Sequence, residues 1–208
     1  MRTEDSIPTR GTLLDRLKQT SPTDQEAWAE FDALYRRFVR AVVMGLRRLS
    51  AADVEDVVQD VMVAVSKAMP QYVYEPERAK FKVWLFTVSR NRFLDHLRRD
   101  SRQLNTLRED EAGKAAGDFA DPREDPAQQF QRVFDEEWHK HLLARALESL
   151  KPKMRPRTYQ IAYQLFIRWK SVSETATLLG VNRTVISLVK HRVQFQLRAA
   201  LRRLDDSL

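Results

Sequence analysis

Between Arg78 and Arg99 the chain sets seven Lys or Arg residues against a single acid, Asp95, and intersperses them with Phe81, Trp84, Phe86 and Phe93. Rings stack on unpaired bases while guanidinium and ammonium groups neutralise phosphates, so this mixture on a short segment suits a single-stranded nucleic acid. A second cationic stretch runs from Arg183 to Arg203, with six Lys or Arg and no acid. Just before it stand Ala176 and, four residues on, Gly180. A small residue lets two helices cross closely and a glycine permits the tight turn between them, the spacing of a helix-turn-helix. Ile186, Val189, Val193 and Leu197 would seat its second helix. With that seam inward, Arg183, Thr184, Ser187, Leu188 and His191 point outward, as a helix reading base edges in a major groove requires. Lys190, Arg192 and Arg198 are placed for phosphates, which position a protein without reading sequence.

The residues of an enzyme are not arranged here. The chain has no cysteine, which excludes disulfides and thiolate metal sites. It has neither a P-loop nor a glycine-rich fingerprint. His139 and His141 are two apart, so on a helix they face different sides. No enzyme, metal or cofactor is expected. The acids Asp53, Glu55, Asp56 and Asp60 read as the polar face of a helix or as a docking surface.

The elements that must carry these residues are helical. Val54, Val57, Val58, Val61, Met62 and Val65 form one apolar stripe at helical spacing, and Pro70 ends it. Ser50 or Asp53 could cap that helix. Residues 71–80 read as a loop, and a new helix is expected from about Phe81. Upstream, Leu13, Leu14 and Leu17, then Trp28 through Val43, read as helical scaffold for the valine stripe, broken at Ser21–Asp24. Residues 100–126 hold eight acids and four Lys or Arg, with both glycines of that region, and read as a partly disordered tether. Beyond it, Phe130 through Leu150 and Thr158 through Trp169 read as helices whose aromatics are core. The expected fold is all-α: residues 1–10 disordered, a helical domain over 11–99, a flexible acidic linker over 100–129 and a second helical domain over 130–208.

Length and charge agree with that plan. A chain of 208 residues has room for one or two domains, and 43% apolar residues suffice for a core. A net charge of +7 and a pI near 9.8 suit a polyanionic partner. No run of eighteen apolar residues suggests a membrane span, and the N-terminus lacks an apolar signal segment, so a cytoplasmic, nucleoid-associated protein is expected.

The series D-x-E-D-x-x-Q-D-V from Asp53, then P-Q-Y at 70–72, then F-x-x-W-L-F-x-x-x-R-N-x-x-x-D-x-L-R-R from Phe81, resembles region 2 of sigma-70-type initiation factors, in particular the extracytoplasmic-function (ECF) group. The C-terminal motif with the helices from Phe130 resembles region 4 of the same family, departing from its pattern at Ser187, Leu188 and Val189. The resemblance implies a factor that binds core RNA polymerase, directs it to promoters and helps melt the −10 region. It implies polymerase contacts on the clamp coiled coil from Asp53, Asp56, Gln59 and Asp60. It implies −10 strand contacts from Tyr74, Arg78, Lys80, Phe81, Trp84, Arg90, Asn91, Arg98 and Arg99. For Phe81 and Trp84, plain core remains the other reading. It implies −35 duplex contacts from Arg183, Thr184, Ser187, Leu188, Lys190, His191 and Arg192, with the other face of that domain on the polymerase flap. An anti-sigma protein is a candidate partner. The competing expectations are a two-domain regulator that binds DNA without polymerase, and a helical adaptor whose basic faces serve a protein.

Overall fold

The structure, a computed structural model, describes residues 13, 16, 17, 25–72, 81–108 and 125–206, without the side chains of 102–108 and 205–206. Among these residues the regular structure is entirely helical. The α-helices are α1 (Gln25–Gly45), α2 (Ala51–Ala68), α3 (Phe81–Arg108), α4 (Pro126–Leu150), α5 (Pro156–Ala162), α6 (Val172–Leu179) and α7 (Arg183–Asp206). The chain divides into two compact units, one over Gly11–Glu137 and one that holds Trp138–Leu208.

In the first unit the valine stripe of α2 is its buried face: Val54, Val57, Val58, Val61, Met62 and Val65 are all sealed from solvent. Each such burial is worth about 1.5–3 kcal/mol, which fixes the rotation of α2 and so the direction of its polar side. Phe31, Tyr35, Phe38, Val39, Val42 and Val43 of α1 supply the opposing surface. Ser50 is the N-cap of α2: its hydroxyl accepts from the Asp53 amide and the Asp53 carboxylate accepts from the Ser50 amide. The two candidate caps therefore act together as a capping box. Pro70 lies in a 3₁₀ turn, Met69–Gln71, that closes the helix.

Two boundaries differ from expectation. α3 starts at Phe81 as anticipated but continues to Arg108, so the stretch from 100 onward does not begin as a tether. Its residues are mostly polar, yet none before Gly113 is a glycine or proline, and polarity alone does not end a helix. α4 begins at Pro126, and its first half, to Glu137, belongs to the first unit rather than the second. Phe130 packs on Phe86 and Phe93, with ring centroids 5.7 and 5.5 Å apart, and Phe134 on Phe38 at 5.1 Å. Gln129 Nε2 donates to the Leu46 carbonyl, and Lys82 pairs with Asp135 at 2.6 Å. A Cβ on Gly45 would meet Val133 Cγ1 at 2.8 Å, so this close approach requires a glycine in α1. The expected N-terminal disorder over 1–10, the break at Ser21–Asp24 and the core of the tether, 109–124, lie outside the described residues.

In the second unit Ala146, Leu147, Ala162, Val193, Leu197 and Ala200 form one core cluster, and Ile161, Leu165, Ala176 and Ile186 another. The helix expected from Thr158 to Trp169 is instead the short α5 followed by a π-helical turn, Tyr163–Ile167. Trp169, expected in the core, lies outside the helix with φ +53° and is 65% exposed.

Candidate nucleic-acid interface

Capping of α2 and burial of its valines leave Asp56 and Gln59 exposed and Asp53 and Asp60 half-exposed. These four do not share one condition. Asp53 is spent on the cap and stands 4.0 Å from the buried His96 Nε2, which is 3.4 Å from Asp100. Gln59 accepts from Arg36 at 3.3 Å, and the neighbouring Glu55 pairs with Arg40 at 2.6 Å. Asp60 pairs with Arg99 of α3 at 2.8 Å. That bond, helped by the charges of the surrounding carboxylates and opposed by desolvation, holds the Arg99 guanidinium above its ordinary pKa. Asp56 alone of the four has no hydrogen bond or ion pair among the described residues.

The Asp60–Arg99 pair crosses a groove of about 600 Å³ between α2 and α3. Asp60, Val63, Ala64 and Lys67 line one wall, and Arg92, Asp95, Arg98 and Arg99 the other. Arg98 donates to Asp95 at 3.0 Å. The groove thus joins a residue expected to face polymerase with two expected to face DNA. It also adds Lys67 and Arg92, which the motif reading had not assigned to the site. Their spacing, Asp60–Lys67 at i,i+7 and Arg92–Arg99 at i,i+7, places each on its neighbour's face and was open to inspection. Val63, 38% exposed, is the apolar member of the α2 face.

Further along α3 the expected strand residues separate. Phe81 is fully buried against Phe31, Tyr35, Tyr72 and Trp84, so it is a core residue here with no face open to a base. It opens the helix at the junction with α1, and the interior claims it. Trp84 is half-buried, with its ring centroid 4.9 Å from Tyr72 and 5.6 Å from Phe81. Arg90 is half-buried, while Asn91, Arg98 and Arg99 are exposed. Tyr74, Arg78 and Lys80 fall outside the described residues.

In the second unit the helix-turn-helix spacing is realised as α6, a turn and α7. Ser171 caps α6, with its hydroxyl accepting from the Glu174 amide and the Glu174 carboxylate accepting from the Ser171 amide at 2.8 Å. Those bonds hold the Glu174 carboxyl below its usual range. Gly180 ends α6 in the left-handed region at φ +60°. Asn182 begins α7: its side-chain oxygen accepts from the Thr184 amide at 2.8 Å, a cap that the motif reading passed over although an asparagine after the turn signals one. Ala176, Ile186, Val193 and Leu197 are buried, and Val189 is partly buried. Arg183, Thr184, Leu188, His191 and Arg192 are exposed, while Ser187 and Lys190 are half-buried. Arg183 donates to the Ser173 hydroxyl, drawing the first turn of α6 to the first residue of α7.

Residues 33–103 match the family model for sigma-70 region 2. A curated relative, the ECF RNA polymerase sigma factor RpoE of Cereibacter sphaeroides, is 34% identical over 77 residues. That alignment covers 37% of this chain and 41% of the relative, less than half the relative's length. Among solved structures, that of CnrH in complex with the cytosolic domain of CnrY aligns over 91% of this chain and 94% of that one, at 20% identity and a TM-score of 0.34.

Proposed function

We propose that the chain is a sigma-70-family transcription-initiation factor of the ECF group, on the match of residues 33–103 to sigma-70 region 2 and the 34% identity to RpoE, and that it joins core RNA polymerase and takes it to promoters. The observation that carries the reading is a coincidence of place. The matched residues cover α2, with its acidic and amide face, and the cationic helix α3 as far as residue 103, and one groove joins the two.

In this reading the α2 face docks on the polymerase clamp, with the exposed Asp56 leading, Gln59 and Asp60 beside it, and Val63 as the apolar centre. A polar rim around an apolar residue suits such an interface. Arg90, Asn91, Arg98 and Arg99 then run along the displaced −10 strand, with Trp84 at its upstream end. Opening a duplex without ATP requires the melted state to be held more tightly than the closed one. Cations on one side and a ring for an unstacked base supply that difference. Phe81 acts here by seating Trp84. In the second unit Arg183, Thr184, Leu188 and His191 face the −35 duplex, with Arg192 on its phosphates. No catalytic step is assigned to any residue.

The test is reconstitution. The purified chain added to core polymerase is expected to give run-off transcription from specific start sites. Duplex binding with no transcription would instead favour a regulator that works without polymerase, and the absence of both would favour an adaptor.

A further inference from the structure

Trp169 stands where a helix end calls for glycine. The Arg168 amide donates to the Tyr163 carbonyl and the Lys170 amide to the Gln164 carbonyl, each at 3.0 Å. These bonds wrap the chain back over the π-helical turn and leave the residue between them in the left-handed region, at φ +53°. Gly180, which closes α6, meets the same demand at φ +60° with no side chain to strain. A bulky residue in that conformation is an outlier, and strain of this kind persists only where the surroundings impose it. Burial does not explain the indole, since it is 65% exposed. A π-turn beside it is a further local irregularity of a sort common at working sites.

The neighbourhood says what the ring could touch. Arg168 and Lys170 flank it in sequence. Two residues on is Ser171, the cap of α6, and the first turn of α6 is tied through Ser173 to Arg183, at the leading end of α7. Trp169 therefore precedes the edge of the helix-turn-helix that would meet DNA. A flat ring with one N–H donor between two cations fits a sugar-phosphate backbone: the ring lies on deoxyribose, the indole Nε1–H donates to a phosphate oxygen, and the cations neutralise.

We propose that Trp169, with Arg168 and Lys170, is a second duplex contact beside the recognition helix, one that grips the backbone and reads no sequence. The proposal rests on the −35 reading of the second unit given above. It predicts a trade-off. Trp169→Asn keeps a residue that tolerates the left-handed region and removes the ring. Relief of strain should raise the melting temperature of the full chain by about 4 °C or more. Affinity of the reconstituted holoenzyme should fall about tenfold, the scale of losing one well-placed aromatic anchor. Two probes are used: a 30-bp duplex enriched from random sequence by the wild-type holoenzyme, and the same duplex with its −35 segment scrambled. Both should weaken by the same factor, and Trp169→Phe, which keeps a ring but has no N–H to donate, should recover only part of the loss. Unchanged affinity for both duplexes would overturn the proposal, as would a lowered melting temperature, which would make the indole part of the fold. So would a loss confined to assembly with polymerase in the absence of DNA, which would make it a protein contact. If the wild-type holoenzyme enriches no duplex at all, the −35 reading fails and takes this contact with it; if it enriches one that Trp169→Asn binds equally well, only the contact fails.

Discussion

Asp56 and Asp60 lie on the same polar side of α2 and differ in what they hold. Asp56 is exposed and unpaired among the described residues, whereas Asp60 grips Arg99 at 2.8 Å across the groove. In the free chain Arg99 is therefore already partnered, and under the proposed strand role a DNA phosphate would compete with a carboxylate for it. Surface pairs of this kind are weak, so the competition is mild, but it has a sign. Asp60→Asn should tighten binding of a single-stranded oligonucleotide by about two- to fivefold, measured by fluorescence anisotropy. Asp56→Asn removes the same unit of charge from the same helix and serves as the control: it should change affinity less. Equal gains from the two would mean that net charge acts and the pair does not. The spacing of the acids was legible in the sequence, and so was their common face. Which acid would be paired was not, because that depends on how α3 lies across α2, a packing outcome that no local pattern encodes.

At the scale of elements, helix type and position followed from periodicity, while ends followed from chemistry that periodicity does not register. The valine stripe gave α2, and Pro70 its stop, because both are local. The stretch after Arg99 reads as a tether from its acids, yet all of those acids but Asp100 come after Arg108, and α3 runs on to Arg108 through a segment with no glycine or proline. Phe130 was assigned to the second domain from its place after that stretch. Its ring packs instead with Phe86, Phe93 and Phe134, and it is fully buried. Phe130→Ala should therefore cost about 3–5 kcal/mol in the first unit. Hydrogen exchange should quicken in α1–α3 and stay as it was in α5–α7; the reverse pattern would return Phe130 to the second unit. The ends of α6 carry a separate expectation. Glu174 has its pKa lowered by the Ser171 bonds, so its share of stability is present above the carboxyl's unfolded value and is lost as pH falls through the lower folded value. Ser171→Ala should remove about 1 kcal/mol at neutral pH. It should also flatten the acid limb of the second unit's melting curve, and an unchanged limb would show that the box does not set it. The helix-turn-helix was legible because Ala176 and Gly180 are positional necessities. The π-turn and the left-handed Trp169 were not, because an apolar run of that length reads equally well as a helix to its end.

For the molecule as a whole, the net charge of +7 is the quantity that a polyelectrolyte partner registers, and salt is the variable that exposes it. No helix among the described residues is long and apolar enough to cross a membrane. Each phosphate neutralised on a single strand contributes about 0.7 to the slope of log affinity against log salt. Arg98 and Arg99, if both lie along the strand, account for two such contacts, and Arg98→Ala with Arg99→Ala should make that slope shallower by about 1.4. In the free chain the two arginines are bonded to Asp95 and Asp60, at 3.0 and 2.8 Å. Salt loosens those internal pairs as well, and this partly offsets the loss of DNA contact. The observed change should therefore fall somewhat below the two-phosphate value without vanishing. The measurement is open-complex formation across a salt series, read by permanganate reactivity of unpaired thymines. A lower amplitude with an unchanged slope would mean that the substitutions disturbed the fold of α3, since lost phosphate contacts must appear in the slope. A shallower slope with closed-complex binding intact would assign the two arginines to the melted strand, because only there do they meet phosphates that the duplex did not offer.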